Sequence, residues 1–232
     1  MKKTIMLLLA AASAAMAVEP ITLNWEKGTA EFAPNTFGVG DNSVTVAVEL
    51  NWEAVKKCDV DTCIFSLNDA SHTKLGMGVE VASNKYIDLW YKDRVNYDYI
   101  SKQLTPSIIS AAQAVLVYTS QIVAVNTYTL DAYLYLYDES GELLNPGALC
   151  FGPKVTDGDI MFGTITGISY NAEMVNDGKI EVYNRFISNE DDAAAVAALV
   201  KLSSSSNSSI PEPTTATLSL LALAGLAARR RR

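Results

Sequence analysis

Histidine is nearly absent from this 232-residue chain: it occurs once, as His72, inside the turn-like stretch "NDASHTK". Serine hydrolysis needs a base, normally a histidine, held in place by an acid. A lone histidine in a solvated loop does not supply one, and no G-x-S-x-G elbow is present to carry the nucleophile. Cysteine is scarce as well, with Cys58, Cys63 and Cys150 only. With one histidine and no fourth ligand of the right type nearby, these cysteines do not make a zinc site. Long apolar runs are also missing. Residues 214–228 form an apolar stretch of fifteen residues, which reaches roughly 22 Å as a helix against a hydrocarbon core of about 30 Å.

Positive charge is in short supply between the two ends. Residues 18–210 hold twelve Lys and Arg against twenty-five Asp and Glu, a net of −13. The whole-chain value of −8 hides this, because six of the 18 basic residues lie at the ends. So acidic a middle repels nucleic-acid phosphates and anionic lipid, which excludes nucleic acid as a partner. The charge itself reads as solubility outside the cytoplasm.

The ends carry signals of their own. Lys2 and Lys3 precede an apolar run over residues 5–12, and Ala15-Met16-Ala17 offers the small residues of a cleavage site. Residues 1–17 therefore read as a secretory signal peptide, cut by signal peptidase between Ala17 and Val18. At the other end a serine run leads to Pro211-Glu212-Pro213, the short apolar segment and Arg229 to Arg232. The arginines would stay on the cytoplasmic side and hold the chain briefly in the inner membrane. A helix docked on the core is the other reading of this tail, and four terminal arginines suit it less well. An exported chain can form disulfides. Cys58 and Cys63 in "CDVDTC" would close a small loop, leaving Cys150 as a small buried side chain. Pairing of Cys150 with one of the two is the alternative.

Period-two alternation fills the middle. Val44, Val46, Val48 and Leu50 share one face of "SVTVAVEL". Leu75, Met77, Val79 and Val81 share one face of "LGMGVEVA", with glycines on the other, and "KYIDLWY" follows as a hairpin across "SNK". "AVLVYTSQIVAV", "YTLDAYLYLYD", "DIMFGTITGISY" and "KIEVYNR" complete the set, separated by turn clusters. Such a series predicts an all-β fold, a sandwich of two antiparallel sheets each burying one face. One short C-terminal helix follows, capped by Ser188 over "NEDDAAAVAALVK", with Ala194, Ala197 and Leu199 or Val200 toward the sheet. "SSSSNSS" cannot bury apolar area and reads as a flexible linker. The expected organisation is a signal peptide over 1–17, one folded domain over 18–202, a linker over 203–210 and a terminal signal over 211–232.

Two resemblances follow from these residues. Pro211, Glu212 and Pro213, the apolar segment and the arginine cluster, in this order at the C-terminus, resemble a PEP-CTERM sorting signal. That resemblance implies processing by an exosortase-type enzyme, loss of residues 214–232, and delivery to the cell surface, outer envelope or extracellular matrix. "NSVTVAVELNW", "IFSLND…LGMGVEVASNKYIDLWYKD", "AVLVYTS" and "AYLYLYDESGELL" resemble a laminin-G-like, concanavalin-A-like jelly roll. In that family a closing strand runs into Tyr-Asn-Arg and a short acidic-capped helix, as at Tyr183, Asn184 and Arg185. Residues 95–112 have no counterpart in the pattern.

The family resemblance implies calcium at a sheet rim, for which Asp59 and Asp61, or Asp157 and Asp159, are the candidates; Asp and Gly in "TDGD" are also what a turn needs. Jelly-roll glycosidases commonly carry Glu-x-Asp-x-x-Glu on one strand, and this chain has no such run. Tyr133, Tyr135 and Tyr137 alternate and so share a strand face. Exposed, the row would stack on sugars and form the ligand-binding face; covered by its neighbours, it is a tyrosine-rich sheet. Tyr91, Tyr97 and Tyr99 in "YKDRVNYDY" read as a rim loop. The sequence therefore predicts an exported, non-enzymatic binding or structural protein that recognises glycan or protein partners. A secreted glycan-active hydrolase or its accessory module is the rival. Mass spectrometry of native material should find Val18 at the N-terminus and no residues after the Pro-Glu-Pro motif. Recovery of Met1 and Arg232 on a soluble cytoplasmic form would contradict the export reading.

Overall fold

A strand with alternating apolar residues needs one cover, and a strand apolar on both sides needs two. This chain contains both kinds. The computed structural model describes residues 19–34, 36–37, 43–69, 76–92, 97–124, 127–144, 149–157, 165–187 and 189–205. Residues 1–201 form one compact unit and 202–232 a second, of which 202–205 are described, as helical backbone.

Among the described residues the strands are β1 (Thr29–Glu31), β2 (Ser43–Leu50), β3 (Thr62–Asp69), β4 (Gly76–Ala82), β5 (Tyr86–Lys92), β6 (Tyr97–Gln103), β7 (Gln113–Ala124), β8 (Thr127–Tyr137), β9 (Leu149–Cys150), β10 (Lys154–Asp157), β11 (Ile165–Tyr170) and β12 (Val175–Tyr183). The helices are α1 (Trp52–Lys57), α2 (Pro106–Ile109) and α3 (Glu190–Ser205). A front sheet runs β1-β11-β3-β4-β5-β6, and a back sheet runs β10-β8-β7-β2-β12 with β9 also on β8. Neighbouring strands pair antiparallel throughout both sheets. This is the predicted two-sheet antiparallel jelly-roll sandwich, with two additional short helices in its connections.

The core lies between the sheets. The front sheet sends in Phe65, Leu67, Met77, Val79, Val81, Ile87, Leu89 and Tyr91. The back sheet answers with Val44, Val46, Val48, Leu116, Leu130 and Leu134, and α1 adds Trp52 and Val55. Each such apolar side chain contributes about 1.5–3 kcal/mol by leaving water. At one border Lys154 of β10 pairs with Asp98 of β6 and donates to the Tyr99 carbonyl at 2.8 Å, tying an edge of one sheet to an edge of the other.

The back sheet is apolar on its outer face as well. Ala114 to Ser120 of β7 and Tyr128 to Tyr137 of β8 are buried without interruption. Helix α3 supplies the second cover through Ala193, Val196, Ala197 and Val200, which meet Ala47, Val115, Val117, Tyr133, Tyr135, Tyr137 and Tyr183. The spacing i, i+3, i+4, i+7 is one helical stripe. Ala197 and Val200 lie on it as predicted, whereas Ala194 is only partly buried and Ala193 and Val196 complete the stripe.

Polar contacts fix where the helix begins. Thr45 and Thr119 are register partners with hydroxyls 2.9 Å apart. Thr45 donates to the Arg185 carbonyl at 2.8 Å, and Thr119 Oγ1 accepts from the Ile187 amide at 3.1 Å. Asn189 caps the helix, its Oδ1 accepting from the Asp192 amide at 2.9 Å. The predicted cap, Ser188, lies outside the described residues, as do residues 1–18 and 206–232 with the expected signals. The helix extends to Ser205, so the first serines of the expected linker are still helical. Among the described residues no helix is long and apolar enough to cross a membrane.

The expected Cys58–Cys63 disulfide is not formed: both thiols are free. Cys58 follows α1 into the inter-sheet core, its Sγ donating to the Val60 carbonyl at 3.0 Å. Cys63 is exposed on the front sheet, so the two thiols face different ways. Cys150, expected to be buried, is exposed.

The packing of α3 gives a test. Tyr135 OH donates to the Glu190 carbonyl at 2.7 Å. Tyr135→Phe should lower unfolding free energy by about 1 kcal/mol, and Tyr135→Ala by about 3–5 kcal/mol, measured by urea denaturation. Unchanged stability in the alanine variant would show that the tyrosine face is not covered.

Candidate functional site

The outer face of the front sheet remains accessible among the described residues. Its strands alternate: β5 is half-buried and buried by turns, and β6 is exposed and half-buried by turns. The register builds rows across the strands. One row runs Thr29, Ser169, Ser66, Gly78, Trp90, Tyr99. The next runs Glu31, Gly167, Asn68, Gly76, Lys92, Tyr97, and a third contains Cys63, Glu80, Asp88 and Ser101.

These rows sort into three zones. At the β6 edge stands an aromatic zone. Tyr97 is 55% and Tyr99 51% exposed, their ring centroids 5.9 Å apart. Lys92 Nζ sits 5.9 Å from the Tyr97 centroid. Trp90 lies over Gly78, where an added Cβ would come within 3.0 Å of the indole and 2.3 Å of the Phe65 carbonyl oxygen. Glycine there leaves room for the ring. Toward β1 a neutral polar zone follows. Ser66 and Ser169 hydroxyls are 2.9 Å apart, and Asn68 Nδ2 donates to both, at 3.0 and 3.1 Å.

The third zone is acidic. Glu80 and Asp88 are direct cross-strand partners. Asp61 borders the same depression, its carboxylate accepting from the Ser83 amide at 2.8 Å. Burial first, then the charges of Asp88 and Asp61, push the Glu80 carboxyl above the ordinary carboxylate range. The Ser83 hydrogen bonds hold Asp61 below it. Trp90 Nε1 and Asp88 Oδ1 are buried with no hydrogen-bond partner. Three depressions follow one another along the face: about 390 Å³ at Asp61, Glu80, Asp88, Tyr97 and Tyr99, about 580 Å³ at Ser66, Asn68, Glu80, Trp90 and Tyr97, and about 520 Å³ at Glu31, Asn68, Gly167 and Ser169.

The structure relocates several predicted site residues. Tyr133, Tyr135 and Tyr137 do share a face, but α3 covers it and they are at most 8% exposed. Burial raises all three phenols, Tyr137 to about 12. Lys201 Nζ of α3 lies 3.4 Å from the Tyr137 centroid. They are core residues and offer no stacking face. Tyr97 and Tyr99 belong to strand β6 instead of a rim loop, and Tyr91 points into the core. Asp59 is exposed, and Asp157 accepts from Thr127 Oγ1 at 3.2 Å. Asp159 and His72 lie outside the described residues. Among the described residues no three acidic, histidine or cysteine side chains are grouped so as to hold a metal ion. Trp90 went unmarked in the sequence, although "KYIDLWYK" alternates and places it opposite Leu89 and Tyr91.

No family model matches the sequence, and no curated protein matches it. Solved structures with a similar fold include the binding domain of botulinum neurotoxin DC in complex with rat synaptotagmin II. The TM-score is 0.43 at 11% identity, over 75% of this chain and 39% of that one. The CBM40 of the Ruminococcus gnavus IT-sialidase bound to α2,3 sialyllactose gives 0.37 at 10% identity, over 67% and 82%. The NanB sialidase of Streptococcus pneumoniae gives 0.40 at 14% identity, over 76% and 28%. These likenesses do not bear on what this chain binds.

The acidic zone makes a prediction about stability. A carboxyl raised in the folded state binds its proton before the unfolded chain does, so its contribution to stability falls as pH rises through the folded pKa. Glu80→Gln should therefore be more stable than the parent at pH 7, with the gap closing as pH drops below the carboxylate range. Thermal melts across that range measure it. A variant less stable at pH 7 would show that the Glu80 charge is compensated.

Proposed function

We propose that this chain is an exported β-sandwich that recognises glycans with the outer face of its front sheet and acts at the cell envelope or in the extracellular matrix. The observation that carries the reading is the Trp90–Tyr99–Tyr97 zone on the front sheet, where Tyr97 and Tyr99 stand half-exposed beside the indole. Pyranose rings have an apolar face that stacks on aromatic rings, and their hydroxyls complement Ser66, Asn68 and Ser169. The signal-peptide pattern at residues 1–17 and the sorting-signal pattern at 211–232 support delivery outward, through signal peptidase and an exosortase-type enzyme.

A second reading is favoured by one observation. Glu80 and Asp88 stand opposite each other, one with a raised carboxyl, as paired acids of a glycosidase do. The face is shallow, however, and does not exclude bulk water from a scissile bond. Binding without hydrolysis is the reading that fits an unenclosed surface.

Glycan arrays probed with the native protein test both. Binding should fall about five-fold in Trp90→Ala and again in Tyr99→Ala, each stack being worth roughly 1 kcal/mol, with unchanged circular dichroism. No new reducing ends should appear on incubation with bound glycans. Equal binding by both variants would remove the front face as the site, and glycan cleavage abolished by Glu80→Gln would establish the hydrolase.

A further inference from the structure

We propose that the glycan recognised by the front sheet carries free amino groups: an extended amino-sugar chain laid across the strands, with an ammonium group seated at Glu80 and Asp88. This deepens the glycan-binding reading and rests on it. Like charges directly opposite each other on a sheet repel, and Glu80 and Asp88 are such a pair, with Asp61 on the same depression. Glu53, Asp98, Glu49 and Asp177 form ion pairs with lysines, but among the described residues no Lys or Arg pairs with Glu80, Asp88 or Asp61. Lys92, one row away, lies by the Tyr97 ring.

The depression is not acid alone. Tyr86, Tyr97 and Tyr99 also line it, together with the half-buried Asp88, whose Oδ1 accepts no hydrogen bond. Among the described residues no three acidic, histidine or cysteine side chains are grouped as a metal site. An organic ammonium suits the depression. It donates several hydrogen bonds to carboxylates and is drawn to the faces of tyrosine rings.

The rest of the face favours a sugar chain over a lysine side chain of a protein. The acidic depression shares Glu80 and Tyr97 with the next one, which shares Asn68 with the third. The groove thus crosses the strands from β6 to β1, with strands spaced roughly 4.8 Å apart, a step similar to the advance of an extended hexose chain per ring. Beyond the acids it presents an indole and neutral hydroxyl and amide groups, which hydroxyl-rich rings would use and a single lysine would not.

Calorimetric titration of the native protein with a β-1,4-linked glucosamine hexamer, its fully N-acetylated counterpart and a lysine hexapeptide tests this. The glucosamine hexamer should bind about ten-fold more tightly than the acetylated one, and more tightly than glucosamine dimer. Combined Glu80→Gln and Asp88→Asn should erase that preference while leaving the acetylated chain bound. Equal affinity for the two hexamers, or a preference that survives the double variant, would overturn the amino-sugar inference and leave glycan recognition standing. Lysine hexapeptide binding as tight as glucosamine hexamer would overturn it in favour of a protein ligand. Failure of both hexamers together with a blank neutral-glycan array would remove the glycan reading as well.

Discussion

The packing of α3 onto the back sheet is the contact on which the rest depends. Residues of β7 and β8 are apolar on both faces, so a two-layer sandwich alone would leave Val115, Val117, Tyr133 and Tyr135 in water. The helix resolves this by laying Val196 and Val200 on them, and the Thr45–Thr119 pair clasps the chain just before it. The fold therefore has two layers behind its core, the back sheet and α3, and an accessible face in front. The position of the candidate site follows from that asymmetry, because aromatic and acidic side chains left at the surface collect on the face that receives no cover.

The front face also shows where stability is given up. Two carboxylates opposite each other, an unpartnered indole N–H and an exposed pair of tyrosines each cost folding free energy or solubility. A surface selected for stability alone would place a lysine beside Glu80. Unpaired charge next to aromatic rings in a depression is a pattern that binding relieves. On the back sheet Tyr135 is bonded to the helix and Asp131 accepts from both Tyr133 OH and the Gly152 amide, each at 3.2 Å, while Tyr118 OH and Ser120 Oγ of β7 are buried without a hydrogen-bond partner.

Much of the fold was legible because alternation is a local property. Val44 to Leu50, Met77 to Val81 and Tyr86 to Lys92 announce their inward faces by sequence alone. Strand β6 was not, since an edge strand with Tyr97, Tyr99 and Ser101 outward lacks a strong apolar face and reads as loop. The tyrosines of β8 were placed on one face correctly, but whether a face is covered is decided by a helix more than fifty residues later. The cysteines show the same limit: "CDVDTC" brings Cys58 and Cys63 close in sequence, while the turn out of α1 sends one inward and the other outward. The site itself was hidden because its members come from β3, β4, β5 and β6 and meet only through register.

The central claim is that the uncovered front face, and no other surface, is where this protein meets its ligand. Amide and indole chemical-shift mapping during titration with a bound oligosaccharide tests it most directly. The account predicts that the largest shifts fall at the Trp90 indole, at Glu80 and Asp88, and along Tyr97 to Ser101, while Tyr133 to Tyr137 and α3 stay fixed. Shifts centred on α3 and the back sheet, with the Trp90 indole unmoved, would contradict it.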